Sequence, residues 1–296
     1  MRRLKRLFFG WENSNAETYR NIFEQYGGSI NVHPDVVDFV AKRSGEKVSY
    51  FHCEKEGVIV GAYPVIGEKS LGADIWRRYP FSYDEIFFPL EPSTRVWFPE
   101  KSNRLSHRLK DNIINANYTL ARKNKVCIVK ETGSPKSDKN RRNEFNRFLK
   151  SDGICVDQSS ISAEELAALY LYLFNARFKG QVRCYEKNDL LDVIKTLRHL
   201  FFGKVLFIGD APCAIDLALF SESSEKIYFD IPNGGVQPCY SDLSPGSLVM
   251  WKNIQAAKKM CEEKRKKMIF SIGALDENWT YKLRWANALR TGKTLF

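Results

Sequence analysis

A strand-forming run at 227–231 leads into Asn233-Gly234-Gly235, then Cys239-Tyr-Ser-Asp-Leu243, then Ser244-Pro-Gly-Ser247 at the head of a helical pattern. Glycine followed by a helix start exposes backbone N–H groups that can hold a phosphate or carboxylate, helped by the helix dipole. Ser244, Gly246 and Ser247 are therefore candidate anion-binding positions, the two serines adding hydroxyl donors. The same residues also read as an ordinary capped helix with proline in its first turn.

Other chemistries lack their residues. No G-x-G-x-x-G, P-loop, G-x-S-x-G or H-E-x-x-H pattern occurs. The histidines, His33, His52, His107 and His199, are far apart in sequence, and His52 and Cys53 project to opposite faces of one predicted strand. The seven cysteines are odd in number and include no C-x-x-C pair, which argues against a disulfide framework or a zinc site. No metal site is expected.

A formal charge of +11 suits nucleic acid, an anionic membrane surface or a phosphorylated ligand. Specific DNA binding is not expected, because no helix-turn-helix or zinc motif accompanies the charge. The longest apolar run, 166–174, falls well short of the ~18 residues needed to span a bilayer. Residues 1–11 lack the apolar stretch and cleavage site of a secretory signal. A cytoplasmic or membrane-peripheral location is expected.

The elements that must position any site follow from periodicity. In residues 1–11, Leu4, Leu7, Phe8 and Trp11 fall on one helical face and Arg2, Arg3, Lys5 and Arg6 on the other. That is either a basic amphipathic segment for a membrane surface or, favoured by its shortness and by Gly10, a first β-strand with a solvated basic start. Residues 16–45 read as two helices broken at Gly27-Gly28, with Pro34 opening the second. Residues 47–53 and 57–64 read as an antiparallel strand pair. The aromatic, proline-rich stretch 76–99 reads as loops packed around a site or an interface. A helix is expected at 112–120 and a strand at 126–130.

The polar segment Glu131-Thr-Gly-Ser-Pro-Lys-Ser-Asp138 marks a boundary between domains at 1–133 and 134–296. Beyond it the pattern predicts a basic helix at 139–150 and a capping box, Ser162 with Glu165, opening a helix to about 178. A helix at 187–200, strands at 204–208, 214–221 and 226–231, a helix from 247, a strand at 267–272 and an amphipathic stretch at 279–288 complete the chain. The order of elements makes the fold α/β (α+β).

One ordered series stands out: Arg141-Arg142-Asn143, Asp152-Gly153, Leu173-Phe-Asn-Ala-Arg177, Ser244-Pro245-Gly246 and Tyr281-Lys282. Over residues 139–285 it resembles the Fem-type and cellulose-biosynthesis-type branch of the GNAT acyltransferase superfamily. Val58-Ile-Val-Gly-Ala-Tyr-Pro-Val65 is similar to the degenerate N-terminal lobe of those proteins. The whole pattern, with Tyr26-Gly-Gly-Ser29 and His33-Pro34, is most similar to the macrophage-inducible antimicrobial-peptide resistance family of Gram-negative bacteria. The resemblance implies two tandem GNAT-like lobes with mixed central sheets flanked by helices. It also implies peripheral association with the inner membrane, a role in surviving cationic peptides, and acyl or aminoacyl transfer to an amine of an envelope precursor. A GNAT fold that has lost its chemistry and serves as a binding or regulatory module is the alternative.

The resemblance also bears on the donor. GNAT enzymes hold the CoA pyrophosphate with a Q/R-x-x-G-x-G/A loop, whereas this chain has Ser241-Asp-Leu-Ser-Pro-Gly-Ser247, with one glycine and the acidic Asp242. Fem-type relatives use aminoacyl-tRNA, which the basic charge would suit, so acyl-CoA and aminoacyl-tRNA both stand as possible donors and neither as a resident cofactor. Transfer to an amine needs a base, oxyanion donors and an acid for the leaving group. Asp216 and Asp230 are candidate bases, or carboxylates at a sheet edge in water. Tyr240 is a candidate acid or a packing tyrosine. Arg177, Tyr281 and Lys282 are candidate substrate contacts, or members of local ion pairs. Arg141, Arg142, Arg147 and Lys150, with the basic residues at 2–6, read either as solvated basic surface, the safer reading, or as a patch for anionic lipid or tRNA.

Overall fold

The computed structural model describes residues 2–295 except 69, 76–77, 121–122 and 132–134, and describes no side chain for Arg2 and Arg3. Part of the expected boundary segment thus lies outside the described residues.

The N-terminal half contains α1 (Arg2–Phe8), β1 (Trp11–Ser14), α2 (Ala16–Tyr26), α3 (Pro34–Ser44), β2 (Val48–Lys55), β3 (Val58–Ile66) and β4 (Ser70–Leu71). The strands form an antiparallel sheet in the order β1-β2-β3-β4. Local chemistry sets the helix starts: the Asn15 side chain accepts from Thr18 N at 2.8 Å to cap α2, and Pro34 opens α3 behind His33. The opening residues depart from the favoured strand reading, because the strand begins only at Trp11, whose buried indole donates to Trp97 O at 2.7 Å. Residues 2–8 are helical and leave Leu4, Leu7 and Phe8 in solvent.

The described residues between 72 and 124 are mostly irregular, with the short strand β5 (Ala116–Asn117). The helix expected at 112–120 does not form. Asn112 Nδ2 donates to Pro92 O and Thr94 O at 2.9 and 2.8 Å, and Asn115 exchanges bonds with the backbone of Phe98 at 2.8 and 2.9 Å. These amides bind a neighbouring loop backbone in an extended arrangement that a helix would forgo.

The remainder comprises β6 (Lys125–Val129), α4 (Pro135–Lys150), β7 (Gly153–Asp157), α5 (Ala163–Phe178), α6 (Lys187–Thr196), β8 (Phe201–Phe202), β9 (Lys204–Ile208), β10 (Ala211–Glu222), β11 (Lys226–Val236), α7 (Pro245–Lys264), β12 (Lys267–Ala274), β13 (Ala286–Arg290) and β14 (Lys293–Thr294). Ser162 caps α5 by accepting from Glu165 N at 3.2 Å, as its sequence predicts. The amphipathic stretch near 279–288 splits into a kinked 3-10 helix at Glu277–Arg284 and strand β13.

The eight-stranded sheet runs β13-β6-β12-β11-β10-β9-β7, with β8 on β10. β6, which precedes the expected boundary, lies inside it. β11 and β12 pair in parallel, joined by the crossover through α7. Side chains alternate across the sheet. Leu217, Leu219 and Tyr228 face α5 and the N-terminal half, whereas Ala218, Phe229 and Ile231 pack on the α7 side. α5 lies close against β11 at Gly235, where a Cβ would stand 2.5 Å from backbone atoms of Leu173 and Phe174.

Candidate active site

The parallel pairing starts at Lys226↔Lys267 and stops at Asp230↔Ser271, although both strands continue. On its other edge β11 bulges: Leu219 pairs with Asp230 and Leu217 with Asn233, so that Ala218 opposes both Ile231 and Pro232. β12 keeps its pairing with β6 on the far side, Ser271 with Ile128 and Ala274 with Val126, across an irregularity between them. The two parallel strands therefore part just beyond Asp230.

Polar side chains gather at this opening. Asp230 is 2 % exposed and shares its sheet face with Tyr228. Its Oδ1 is buried without a hydrogen-bond partner. Burial pushes its carboxyl well above the usual range, reinforced by Asp84 and Glu85 and opposed by Ser271 and Lys282. Glu85 is also buried and raised, though it accepts from Tyr228 Oη at 2.8 Å. Burial likewise raises the Tyr185 hydroxyl, which feels the charges of Asp230 and Asp84.

Lys282 closes the group. Its Nζ donates to Ala274 O at 2.8 Å while Ala274 N donates to Asp84 Oδ2 at 2.7 Å, so one residue holds an acid and a base. Gly273, at φ +78°, permits this approach, since a Cβ there would meet Asp84 Oδ2 at 2.9 Å. Burial lowers the Lys282 pKa, while Asp84, Cys127 and Asp230 oppose the shift. Arg177, from the end of α5, donates to Gly234 O at 3.0 Å, and its charge is felt by both Lys282 and Asp216.

The expected residues thus fall into separate places. Asp230 and Lys282 come together, whereas Arg177, bonded to Gly234 O, lies between them and Asp216 and acts on Lys282 and Asp216 alike. Asp216 does not join them: it lies on the α7 face of β10, where its Oδ2 accepts from Asn253 at 3.1 Å, and burial raises its pKa to about 7. Neither aspartate is a wet sheet-edge carboxylate, at 8 % and 2 % exposure. Tyr240 packs with Phe148 and Leu248 in a cluster between α4 and α7. Tyr281 is 41 % exposed. Of the α4 cations, Arg142 pairs with Asp138 at 3.1 Å, Arg141 with Glu144, and Arg147 donates to Asp242 O at 2.7 Å.

At the start of α7, Ser244 has left-handed backbone and makes no side-chain cap. Pro245 offers no N–H, and Ser247 N–H is turned onto Ser244 O at 3.0 Å. The helix start therefore keeps Gly246 N–H as an anion donor, a thin provision for a pyrophosphate. Among the described residues, no His/Cys/Asp/Glu group has the arrangement of a metal site.

Asp84, Glu85 and Tyr185 had no signature in the sequence. The first two lie in Phe81-Ser-Tyr-Asp-Glu-Ile86, within the aromatic stretch expected to pack around a site or an interface.

Two α/β halves, a parallel strand pair that parts at its C-terminal ends, and a helix launched from the first of those strands define a tandem GNAT-like protein. The chain belongs to the Mig-14 family, whose model, described as Mig-14, matches residues 33–294. Among solved structures, FemX superposes with a TM-score of 0.61 at 9 % identity, over 96 % of this chain and 97 % of that one. A conserved protein of unknown function from Bacteroides thetaiotaomicron VPI-5482 superposes with a TM-score of 0.53 at 11 % identity, over 96 % and 98 %. A tandem GNAT protein from the clavulanic acid biosynthesis pathway gives 0.42 at 8 % identity, over 96 % of each chain, a likeness too loose to carry weight. No curated protein matches the sequence significantly. Among the described residues, no helix is long and apolar enough to cross a membrane.

Proposed function

We propose that the protein transfers an acyl or aminoacyl group from an activated ester to an amine of a cell-envelope precursor, contributing to resistance to cationic antimicrobial peptides. The observation that carries this reading is Asp230, a buried carboxyl with an unpartnered oxygen where β11 and β12 part, in the field of Lys282. In the transfer the amine nitrogen bonds to the acyl carbon, the ester C–O bond breaks, and the amine's surplus proton reaches the departing oxygen. Asp230 takes and returns that proton, which burial makes it hold more tightly than an exposed carboxylate would. Lys282 spends one N–H on Ala274 O and keeps its others for the tetrahedral oxyanion. Arg177 adds positive charge from α5.

Of the two donors, aminoacyl-tRNA is the better supported. The α7 start has little to offer a CoA pyrophosphate, and a +11 chain suits a polyanion. Peripheral attachment to the cytoplasmic face of the inner membrane is proposed through α1, whose Leu4, Leu7 and Phe8 are 72 %, 59 % and 86 % exposed.

Ligand-dependent melting tests the reading. Saturating aminoacyl-tRNA should raise Tm, by the equivalent of about 2.7 kcal/mol at a hundred times Kd, and Arg177→Ala should abolish the rise. Acetyl-CoA and longer acyl-CoAs should leave Tm unchanged. A rise with none of these donors would replace the enzyme by a non-catalytic binding module.

A further inference from the structure

The parallel strand pair has a second end. Four residues before the opening, roughly 13 Å along the strands, Lys226 and Lys267 are register partners at the heads of β11 and β12. Like charges directly abreast on a sheet are destabilising, and a fold without a use for them would be expected to separate or neutralise them. Here a third cation, Arg108, joins from the irregular segment, and all three line one cleft of about 920 Å³ with Lys258 and Arg265. Acids line it too, namely Asp111, Glu131, Glu225 and Glu262. Among the described residues, however, none of them forms an ion pair with any of these five cations; a sixth lining cation, Lys266, shares Glu222 with Lys264 nearby. Lys226 is the deepest of the three: it lies over the Phe87 ring at 5.4 Å, and burial lowers its pKa, a shift that Glu225 opposes and Arg108 and Lys267 reinforce.

These three cations make no carboxylate ion pair, although Glu225 acts on Lys226 and Glu85 on Arg108, and they share the cleft with an apolar wall of Phe87, Leu90 and Met268, an arrangement with positive charge to spare. A compact anion would complete it. A phosphate fits best, because its oxygens can accept from Arg and Lys donors arriving from several directions. The apolar wall suits whatever the phosphate is attached to.

We propose that this cleft binds a phosphate or pyrophosphate group borne on a ligand with an apolar portion, at a site distinct from the Asp230 opening. The proposal does not depend on the transfer chemistry above.

The test is isothermal titration of the full chain with inorganic pyrophosphate at low ionic strength, repeated with Lys226→Gln/Lys267→Gln and with the control Lys139→Gln/Lys150→Gln. Saturable binding, weakened at least tenfold in the first variant and retained in the control, is expected. Absent binding, or equal weakening in both variants, would overturn the site. Melting supplies a second readout without ligand: removing mutually repelling cations should raise Tm in the first variant, whereas a fall would mark Lys226 and Lys267 as structural. Dodecyl phosphate below its micellar concentration separates the sources. Tighter binding than pyrophosphate, again lost in the first variant, assigns a lipid phosphate, and equal or weaker binding assigns a soluble phosphorylated compound.

Discussion

Asp216 and Asp230 stand on adjacent strands with their carboxylates on opposite faces of one sheet, the first bonded to Asn253 of α7 and the second at the opening beside Lys282. A sequence places such residues near each other; only strand parity and the bulge at Ile231–Pro232 decide which side each serves.

Asp216 should register in the pH dependence of stability. Burial raises its folded pKa from 3.8 to about 7, so the native state binds the proton more tightly than the unfolded chain. Its contribution is full below about pH 4 and is lost as pH rises to about 7. Relative to Asp216→Asn, the native protein should lose on the order of 4 kcal/mol across that window. Urea denaturation at a series of pH values measures it, and parallel curves for the two proteins would refute it.

Asp230→Asn should behave differently. Turnover with the donor that raises Tm should fall by about 10² to 10⁴, while the melting temperature holds or rises because a costly buried carboxyl has gone. Lys282→Gln should lower turnover by a comparable ~10² to 10³ if it serves the oxyanion. Full activity in both variants would move the chemistry elsewhere.

Gly235→Ala probes the seat of α5. A Cβ would press on backbone atoms of Leu173 and Phe174 at 2.5 Å, contacts that no rotamer change can relieve. A loss of about 2–4 kcal/mol is expected in chemical denaturation. Because Gly234 O anchors Arg177, donor-dependent stabilisation should weaken as well.

Leu7→Ser/Phe8→Ser isolates α1. Both side chains are mainly in solvent, so Tm should scarcely change, whereas partitioning onto anionic vesicles should drop severalfold in a flotation assay. Arg6 should be left intact for this test, since it pairs with Glu100 at 2.6 Å and lies 3.7 Å over the Phe51 ring, which makes it part of the fold. Unchanged partitioning would separate α1 from any membrane role.

Much of the architecture was legible where periodicity and punctuation agree, as in the Ser162 cap, the β2–β3 pair and the strand–helix–strand order of β11, α7 and β12. The site was half legible. Asp230, Lys282 and Arg177 lie on patterned elements, whereas Asp84 and Glu85 sit in a loop whose course is fixed by distant backbone bonds, such as Asn31 Nδ2 to Glu85 O at 2.8 Å. The missing helix at 112–120 has the same cause: Asn112 and Asn115 spend their amides on a loop some twenty residues away, a choice that local propensity does not encode.

Strand β6 carries one more consequence. It belongs to the first half of the chain yet is flanked by β12 and β13, while β14, near the chain end, pairs with β5. The halves are laced together, so a protease nick at the 131–138 segment should leave two fragments that stay associated and melt in one transition. Expressed alone, residues 134–296 would lack an interior strand of their sheet and should behave as an insoluble remnant rather than a portable catalytic module.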